Sequence, residues 1–293
     1  LGAPQSGESS EGVFTWSVSP RFEINDRTSI YARVAKGYRP GGPNFIPPGA
    51  GADFPTEFFS DTVVSYELGF RTQTVDRTLA LDGAIYYIDW DDILILSSAI
   101  VNGTPVGVNS NGRRARSKGA ELTATVRPTP GLTVIATGAY VDAELRDDTV
   151  PPGGGLNLTG GLAGDQLPYT PELTANLSVD YEWSLGPDIE AFVGGNLRLV
   201  GDQVAGFSPA YRAAFGRRIE IDGYHTVDLR AGVNFGRFSV QAYARNLFDT
   251  YGVVSAGGFP TMVQPALGGT NIPFMTASTI RPRTFGLIVG AEF

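Results

Sequence analysis

Three patterns predict an all-β, antiparallel fold lying in a membrane, part of a transmembrane β-barrel of which this chain supplies about eleven strands. They are a sustained period-2 alternation, one strand face free of charge, and connections that alternate between short and long. The clearest stretch is 225–249. Val227, Leu229, Ala231, Val233 and Phe235 alternate with Thr226, Asp228, Arg230, Gly232 and Asn234, as in a strand with unlike faces. Gly236-Arg237 is a two-residue turn with Gly first, which suits a type II′ hairpin. The return strand keeps Phe238, Val240, Ala242 and Ala244 on one face and Ser239, Gln241, Tyr243 and Arg245 on the other.

In chain order the eleven strands are expected at about 13–24, 28–37, 62–72, 78–90, 116–127, 132–145, 172–183, 189–201, 224–235, 238–249 and 283–293. Pro20 interrupts hydrogen bonding in the first and suggests a bulge. Short connections rich in turn residues fall at 25–27, 73–77, 128–131, 184–188 and 236–237. Long ones at 38–61, 91–115, 146–170, 202–223 and 250–282 exceed the roughly 12–15 residues usual in a compact domain. Alternation of this kind gathers the turns on one rim and the loops on the other, as in bacterial outer-membrane barrels.

The faces carry the membrane argument. One face reads Phe14, Trp16, Val18, Pro20, Phe22, Ile24; then Val64, Tyr66, Leu68, Phe70; then Leu173, Ala175, Leu177, Val179, Tyr181, Trp183. It continues through Ile189, Ala191, Val193, Gly195, Leu197, Leu199, the face from Val227 to Phe235, and Phe285, Leu287, Val289, Ala291, Phe293. None is charged, although 18% of the chain is. Arg21, Glu23, Glu67, Arg71, Asp180, Glu182, Asp228 and Arg230 lie on the opposite faces. In the remaining strands Lys36, Asp89, Lys118 and Asp142 break the rule near the long-loop ends, where a lipid-facing cation costs about 0–1 kcal/mol, against about 2–4 at mid-bilayer. Aromatics mark both rims: Phe22, Phe70, Trp183, Phe235, Phe238 and Phe293 on the turn side, Tyr38, Trp90, Tyr140, Tyr224 and Phe248 on the loop side. The competing reading is a soluble antiparallel sandwich, whose connections would be short at both ends.

The first and last strands both run from loop side to turn side, so they cannot close on each other antiparallel. An odd number of further strands is needed. The start at Leu1-Gly2-Ala3-Pro4 likewise fits the C-terminal part of a longer protein. The net charge of −8 argues against a nucleic-acid partner, no apolar run approaches the roughly 18 residues of a membrane helix, and the absence of Cys is compatible with an oxidising compartment.

A set of short motifs in fixed order resembles the C-terminal half of the β-barrel of TonB-dependent outer-membrane receptors. They are Ser19-Pro20-Arg21-Phe22, Tyr31-Ala32-Arg33, Lys36 to Asn44, Tyr66-Glu67-Leu68-Gly69, Tyr86 to Ile93, Ala115 to Leu122, Pro168 with Pro171-Glu172, Arg245 to Asp249 with Tyr251, and Arg281 to Phe285. The resemblance implies a 22-stranded barrel with a plugged lumen. It implies that a plug domain, the energy-coupling box and the N-terminal strands lie outside residues 1–293. It further implies uptake of a scarce nutrient, a ferric siderophore first, energised by the TonB complex through the plug, in the outer membrane of a Gram-negative bacterium. A passive porin or a structural, adhesive barrel is the alternative. The alternating run 284–293 to a terminal Phe293 resembles the signal read by the barrel-assembly machinery.

Candidate ligand contacts lie in the long loops. Tyr38, Phe45, Phe54, Phe58 and Phe59 could stack on a ligand or fold the first loop back onto the rim. Arg113 and Arg114, followed by Arg116 and Lys118, could meet an anionic ligand or the phosphates of lipopolysaccharide, since Arg suits bidentate phosphate binding; a solvated loop base is the plainer reading, and it serves equally for Arg212, Arg217 and Arg218. Asp91-Asp92 and Asp147-Asp148 could offer oxygens to Ca²⁺ or sit hydrated. Charges facing the lumen are expected to pair with one another or meet the plug. Gly41-Gly42-Pro43 and Gly153-Gly154-Gly155 precede no helix and read as loop punctuation. With His225 alone and no Cys, no catalytic residue, no cofactor and no metal site are expected.

Overall fold

The computed structural model describes residues 10–52, 54–102, 104–149, 160–207, 209–262 and 272–292. Phe293 and the Gly153-Gly154-Gly155 run lie outside them. One antiparallel sheet dominates. Its strands are β1 (Trp16–Val18), β2 (Arg21–Asn25), β3 (Thr28–Arg39), β6 (Asp61–Gln73), β7 (Leu79–Asp91), β10 (Ala115–Val126), β11 (Leu132–Leu145), β12 (Leu173–Gly186), β13 (Ile189–Val200), β16 (Tyr224–Phe235), β17 (Phe238–Arg245) and β20 (Thr284–Ala291). Each pairs with its neighbour in that order, while β1 and β2 both pair with β3 as two parts of one strand. Among the described residues eleven wall strands therefore stand where the alternation predicts them.

Register tests the faces directly. Val34, Tyr66 and Tyr87 are cross-strand partners, as are Leu177, Leu197 and Val227. Through such rows every uncharged face identified in the sequence lies on one side of the sheet. Among the described residues nothing covers it: Phe22 is 65% exposed, Leu68 54% and Leu287 66%. A sandwich is excluded, and hydrocarbon is the solvent that suits this side.

Pro20 causes a gap rather than a bulge. Val18↔Val34 and Arg21↔Tyr31 keep one register, and the Ala32 amide still donates to the Pro20 carbonyl at 3.1 Å. Only the donor that proline lacks is missing. The Gly236 turn has its expected geometry, with φ of +58° at the first central residue. The tenth strand stops at Arg245 because Asn246 and Asp249 take φ of +49° and +55° and close a turn through Asp249 N–H to Asn246 C=O at 2.8 Å. Two belt assignments are corrected. Trp90 and Tyr224 face inward, Trp90 packing into a loop core and the Tyr224 ring against Gly252.

Glycines in the wall act as sockets. A methyl group at Gly69 would run into the Tyr31 ring, and one at Gly286 into the Tyr243 ring. An aromatic ring thus lies on the neighbouring strand's bare backbone, which lets the sheet curve.

The long loops carry structure of their own: hairpins β4 (Gly42–Pro43) with β5 (Glu57–Phe58), β8 (Leu94–Val101) with β9 (Thr104–Asn111), β14 (Gln203–Val204) with β15 (Glu220–Ile221), β18 (Val253–Met262) with β19 (Ile272–Thr279), and the short helix α1 (Pro209–Phe215). The short Ile93–Leu96 patch proves to be the start of β8.

Candidate ligand-binding mouth

Hydrophobic clusters of buried residues lie in this loop layer and join loops to one another. Ile93 and Ile95 meet Ala115, Leu145 and Phe207, with Trp90 and Leu167 against them. Phe54, Val101 and Val108 join the first and second loops. Ile219, Ile221 and Ala256 join the fourth and fifth. Sequence alternation gives no sign of these clusters, because they come from irregular segments far apart in the chain.

Polar stitches reinforce them. The Asn44 amide donates to Asn109 C=O at 2.8 Å and to Pro55 C=O at 3.2 Å, while its oxygen accepts from Asn109 N–H at 2.9 Å. Asn111 brackets Phe59 in the same way, accepting from its N–H at 2.7 Å and donating to its C=O at 2.8 Å. Asp61, buried at the start of β6, takes the Arg39 guanidinium and the Leu94 N–H, the latter at 3.1 Å. Glu11 accepts from the Ser60 and Gly41 amides, which hold its carboxyl below the ordinary range.

The first loop's aromatics divide. Phe54 is buried in the core it shares with Val101 and Val108, and the Phe58 ring lies over Gly42. Phe45 and Phe59 are 73% and 61% exposed. Tyr38 lies near the loop end of β3 on the outward face, in register with Thr62. The clamp on the Phe59 backbone fixes where its ring projects.

The basic residues divide too. Arg114 forms a fork with Asp147 at 2.9 and 3.2 Å, which lowers the Asp147 pKa and raises that of Arg114. Arg113 is exposed, makes no side-chain hydrogen bond among the described residues, and adds its positive charge near Asp147. Arg212 and Arg218 converge on Asp165 at 2.6 and 3.8 Å, and burial pushes the Arg218 guanidinium below its ordinary value. Arg217 pairs with Glu220 at 3.1 Å. Of the acidic pairs, Asp147 is held by Arg114 and Asp148 accepts from Ala163 N–H at 2.7 Å. Among the described residues no cluster of three or more His, Asp or Glu could hold a metal ion. His225 sits on the lipid-facing side, in register with Leu199.

Below the mouth, the inward face is polar and internally paired: Tyr31 Oη to Glu67 at 2.6 Å, Arg71 to Asp82 at 2.6 Å, and Arg230 to Asp180 at 2.7 Å.

Comparison with known proteins fits this geometry. A family model described as TonB dependent receptor-like, beta-barrel, matches residues 2–247. The chain is 27% identical over 277 residues to the pesticin receptor of Yersinia pestis, covering 92% of this chain and 37% of that protein. It is 22% identical over 246 residues to the metal-pseudopaline receptor CntO of Pseudomonas aeruginosa, covering 83% and 30%. The ferric yersiniabactin uptake receptor FyuA from Yersinia pestis superposes with a TM-score of 0.70 at 24% identity, over 94% of this chain and 37% of that one. The closed form of the ferric-catecholate import receptor Fiu from Escherichia coli K12 gives 0.64 at 23% identity, over 95% and 35%. The chain therefore spans 30% to 37% of the length of these four proteins. With eleven antiparallel wall strands, one bare apolar side and the family model covering most of its length, the chain belongs to the TonB-dependent receptors of the bacterial outer membrane and forms part of their β-barrel.

Proposed function

We propose that the protein to which this chain contributes binds a ferric siderophore at the cell surface and moves it across the outer membrane with energy delivered through TonB. The observation that carries this reading is the packed, cross-stitched loop layer standing over a polar inward face. A passive pore has no use for a built roof, whereas a receptor needs one to hold exposed contacts in place. Phe45, Phe59 and Arg113 are the contacts it presents best: two rings able to stack on flat organic groups and a cation for the anionic oxygens of a chelate. Phe58, Tyr38 and Arg114 shape the surroundings. Receptors for siderophores among the relatives support the same substrate class.

The two edges of the sheet run parallel to each other. An odd number of added strands closes it, and eleven would give the 22 of a plugged barrel. In that assembly residues 1–293 form the C-terminal part of the barrel and the inward charges not paired within the wall face a plug, through which TonB acts. Transport rather than catalysis is the reading, with no resident cofactor.

The test is uptake of a panel of ⁵⁵Fe-loaded siderophores by cells deleted for the receptor and complemented with the full-length gene. At least one siderophore should depend on both the gene and TonB, and Phe45→Ala with Phe59→Ala should weaken its binding about tenfold at unchanged surface expression. Unchanged uptake of every siderophore on deletion, or entry that persists without TonB, overturns the proposal.

A further inference from the structure

The inward face of the wall holds a continuous trough. Arg198, Asn176, Thr137, Thr123, Asp82 and Arg71 form one cross-strand row over β13, β12, β11, β10, β7 and β6. Arg198 stands near Val200, the loop end of β13, and Arg71 near Gln73, the turn end of β6. The row therefore runs from the mouth towards the turn rim. It covers about 24 Å at about 4.8 Å per strand, and a strand tilt of about 35–45° makes roughly 15 Å of that descent. Two recesses lie along it. One of about 680 Å³ reaches from Arg198 and Val200 to Arg71 and Asp82. The other, about 360 Å³, shares Arg71, Asp82 and Thr123 with it and continues to the 25–27 turn.

Floor and flanks differ. The floor carries short polar groups, Thr123, Thr137, Thr174 and Asn176, and Asn176 exchanges amide hydrogen bonds with Asn196 at 2.9 and 3.3 Å. On one flank taller side chains satisfy each other, Tyr31 with Glu67 and Arg71 with Asp82, both at 2.6 Å. The second of these pairs stands where the two recesses join. Arg198 is exposed and makes no hydrogen bond or ion pair among the described residues. Glu121, one row towards the loops on β10, is exposed and likewise unpaired among them. Beyond the trough the same face is filled. There the Phe192 ring lies on Gly232 beneath the Arg230 guanidinium, which is tied to Asp180 at 2.7 Å.

We propose that this trough is the path by which the chelate descends from the mouth between wall and plug. Arg198 receives its anionic oxygens at the head, and the Arg71–Asp82 pair forms the waist. This assignment rests on the transport reading given above. The chemistry of the lining favours a solute in transit. A path must bind well enough to admit its cargo and weakly enough to release it. Hydroxyl and carboxamide groups offer many weak, exchangeable hydrogen bonds to a polar solute. Guanidinium binds anionic oxygens at the head, and the Glu121 carboxylate then opposes long retention of an anion. Both recesses fall within or near the size of small-molecule sites, about 300–1,000 Å³. A plug segment fixed against the wall would instead call for side chains that need its partners, and the flank pairs are already satisfied.

The test separates capture from transit in cells that carry the full-length receptor. Binding of ⁵⁵Fe-loaded catecholate, phenolate and hydroxamate siderophores on ice reports the mouth. Uptake on warming, with TonB present, reports the path. Thr137→Trp stands a large ring in the middle of the trough and should slow uptake at least tenfold while binding on ice is unchanged. Asn234→Trp puts the same ring on the inward face of β16 outside both recesses and should leave uptake as in wild type. Arg198→Gln, which removes charge and little volume, should slow uptake about threefold. Heat-modifiable migration shows which barrels fold. Should Thr137→Trp fail to fold, normal uptake by Arg198→Gln overturns the proposal. No uptake of any siderophore by wild type removes the transport reading and the trough with it. With wild-type uptake intact, normal uptake by Thr137→Trp, or an equal loss in Asn234→Trp, overturns the trough alone.

Discussion

Leu68 and Leu287 in the wall are 54% and 66% exposed, whereas Leu145 at the base of the third loop is 0% exposed and Val108 in the second only 2%. The difference is the solvent each region is built for. In the wall, hydrocarbon covers the apolar side and the backbone is satisfied strand to strand, so no internal core is needed. The loop layer stands in water and has to bury its own apolar residues, which it does by joining loops that are distant in sequence. A substitution should therefore have opposite consequences in the two regions.

The sharpest break of that contrast is a charge in the wall. Leu177 lies outward in the middle of β12, between Ala136 and Leu197. Leu177→Arg should cost about 2–4 kcal/mol of folding stability in lipid. Ser178→Arg, one residue on and facing the polar lumen, should cost far less. Urea unfolding of the full-length receptor in lipid vesicles, followed by heat-modifiable migration, measures both. Equal losses would mean that the two faces are not solvated differently.

Asp61→Ala addresses the seam between the regions. It leaves the Leu94 N–H without its acceptor and the Arg39 guanidinium without its carboxylate. A lost partner of this kind costs about 1–3 kcal/mol when buried, towards the lower end here because Arg39 is 49% exposed. Amide exchange in the β8–β9 hairpin should quicken about tenfold while β6 and β7 keep their protection. Loosening of the wall as well would show that the loop layer and the sheet are one cooperative unit.

How far each region is legible in the sequence follows from the same physics. The wall could be read because one solvent acts on one face of every strand. The spacing of 2 thus repeats from Trp16 to Val289, and register needed only to bring the faces together. The ends of that pattern misled where side chains leave lipid. Trp90 looked like a belt residue, but its strand turns it inward under Ile93 and Ile95. Pro20 looked like a bulge, but an outermost strand tolerates one missing donor without shifting register. In the mouth, exposed aromatics could be named but not sorted. What separates buried Phe54 from exposed Phe45 is contact with Val101 and Val108, contributed by a different loop. The Asn44 and Asn111 clamps left no trace at all, because a side chain that bonds a distant backbone has no periodicity.

The smallest effect expected is at the opposite rim, where a short turn has neither lipid nor a core to hold it. Asp76 Oδ1 accepts from Thr74 Oγ1 at 2.6 Å, Thr78 Oγ1 at 2.8 Å and Thr78 N–H at 3.1 Å. These hydrogen bonds, the Thr74 hydroxyl first, lower its pKa to about 2. The unfolded chain's value is about 3.9. A depressed carboxyl stabilises the fold fully above the unfolded pKa, and that contribution fades as pH falls from about 4 towards 2. Asp76→Asn keeps the shape and removes the charge. Wild type should therefore exceed the variant in stability by a constant, small margin at pH 5 to 7, and the margin should close on acidification. A margin that persists at pH 2 would mean that the turn is held by its backbone geometry, including the positive φ of Arg77, and not by the carboxylate.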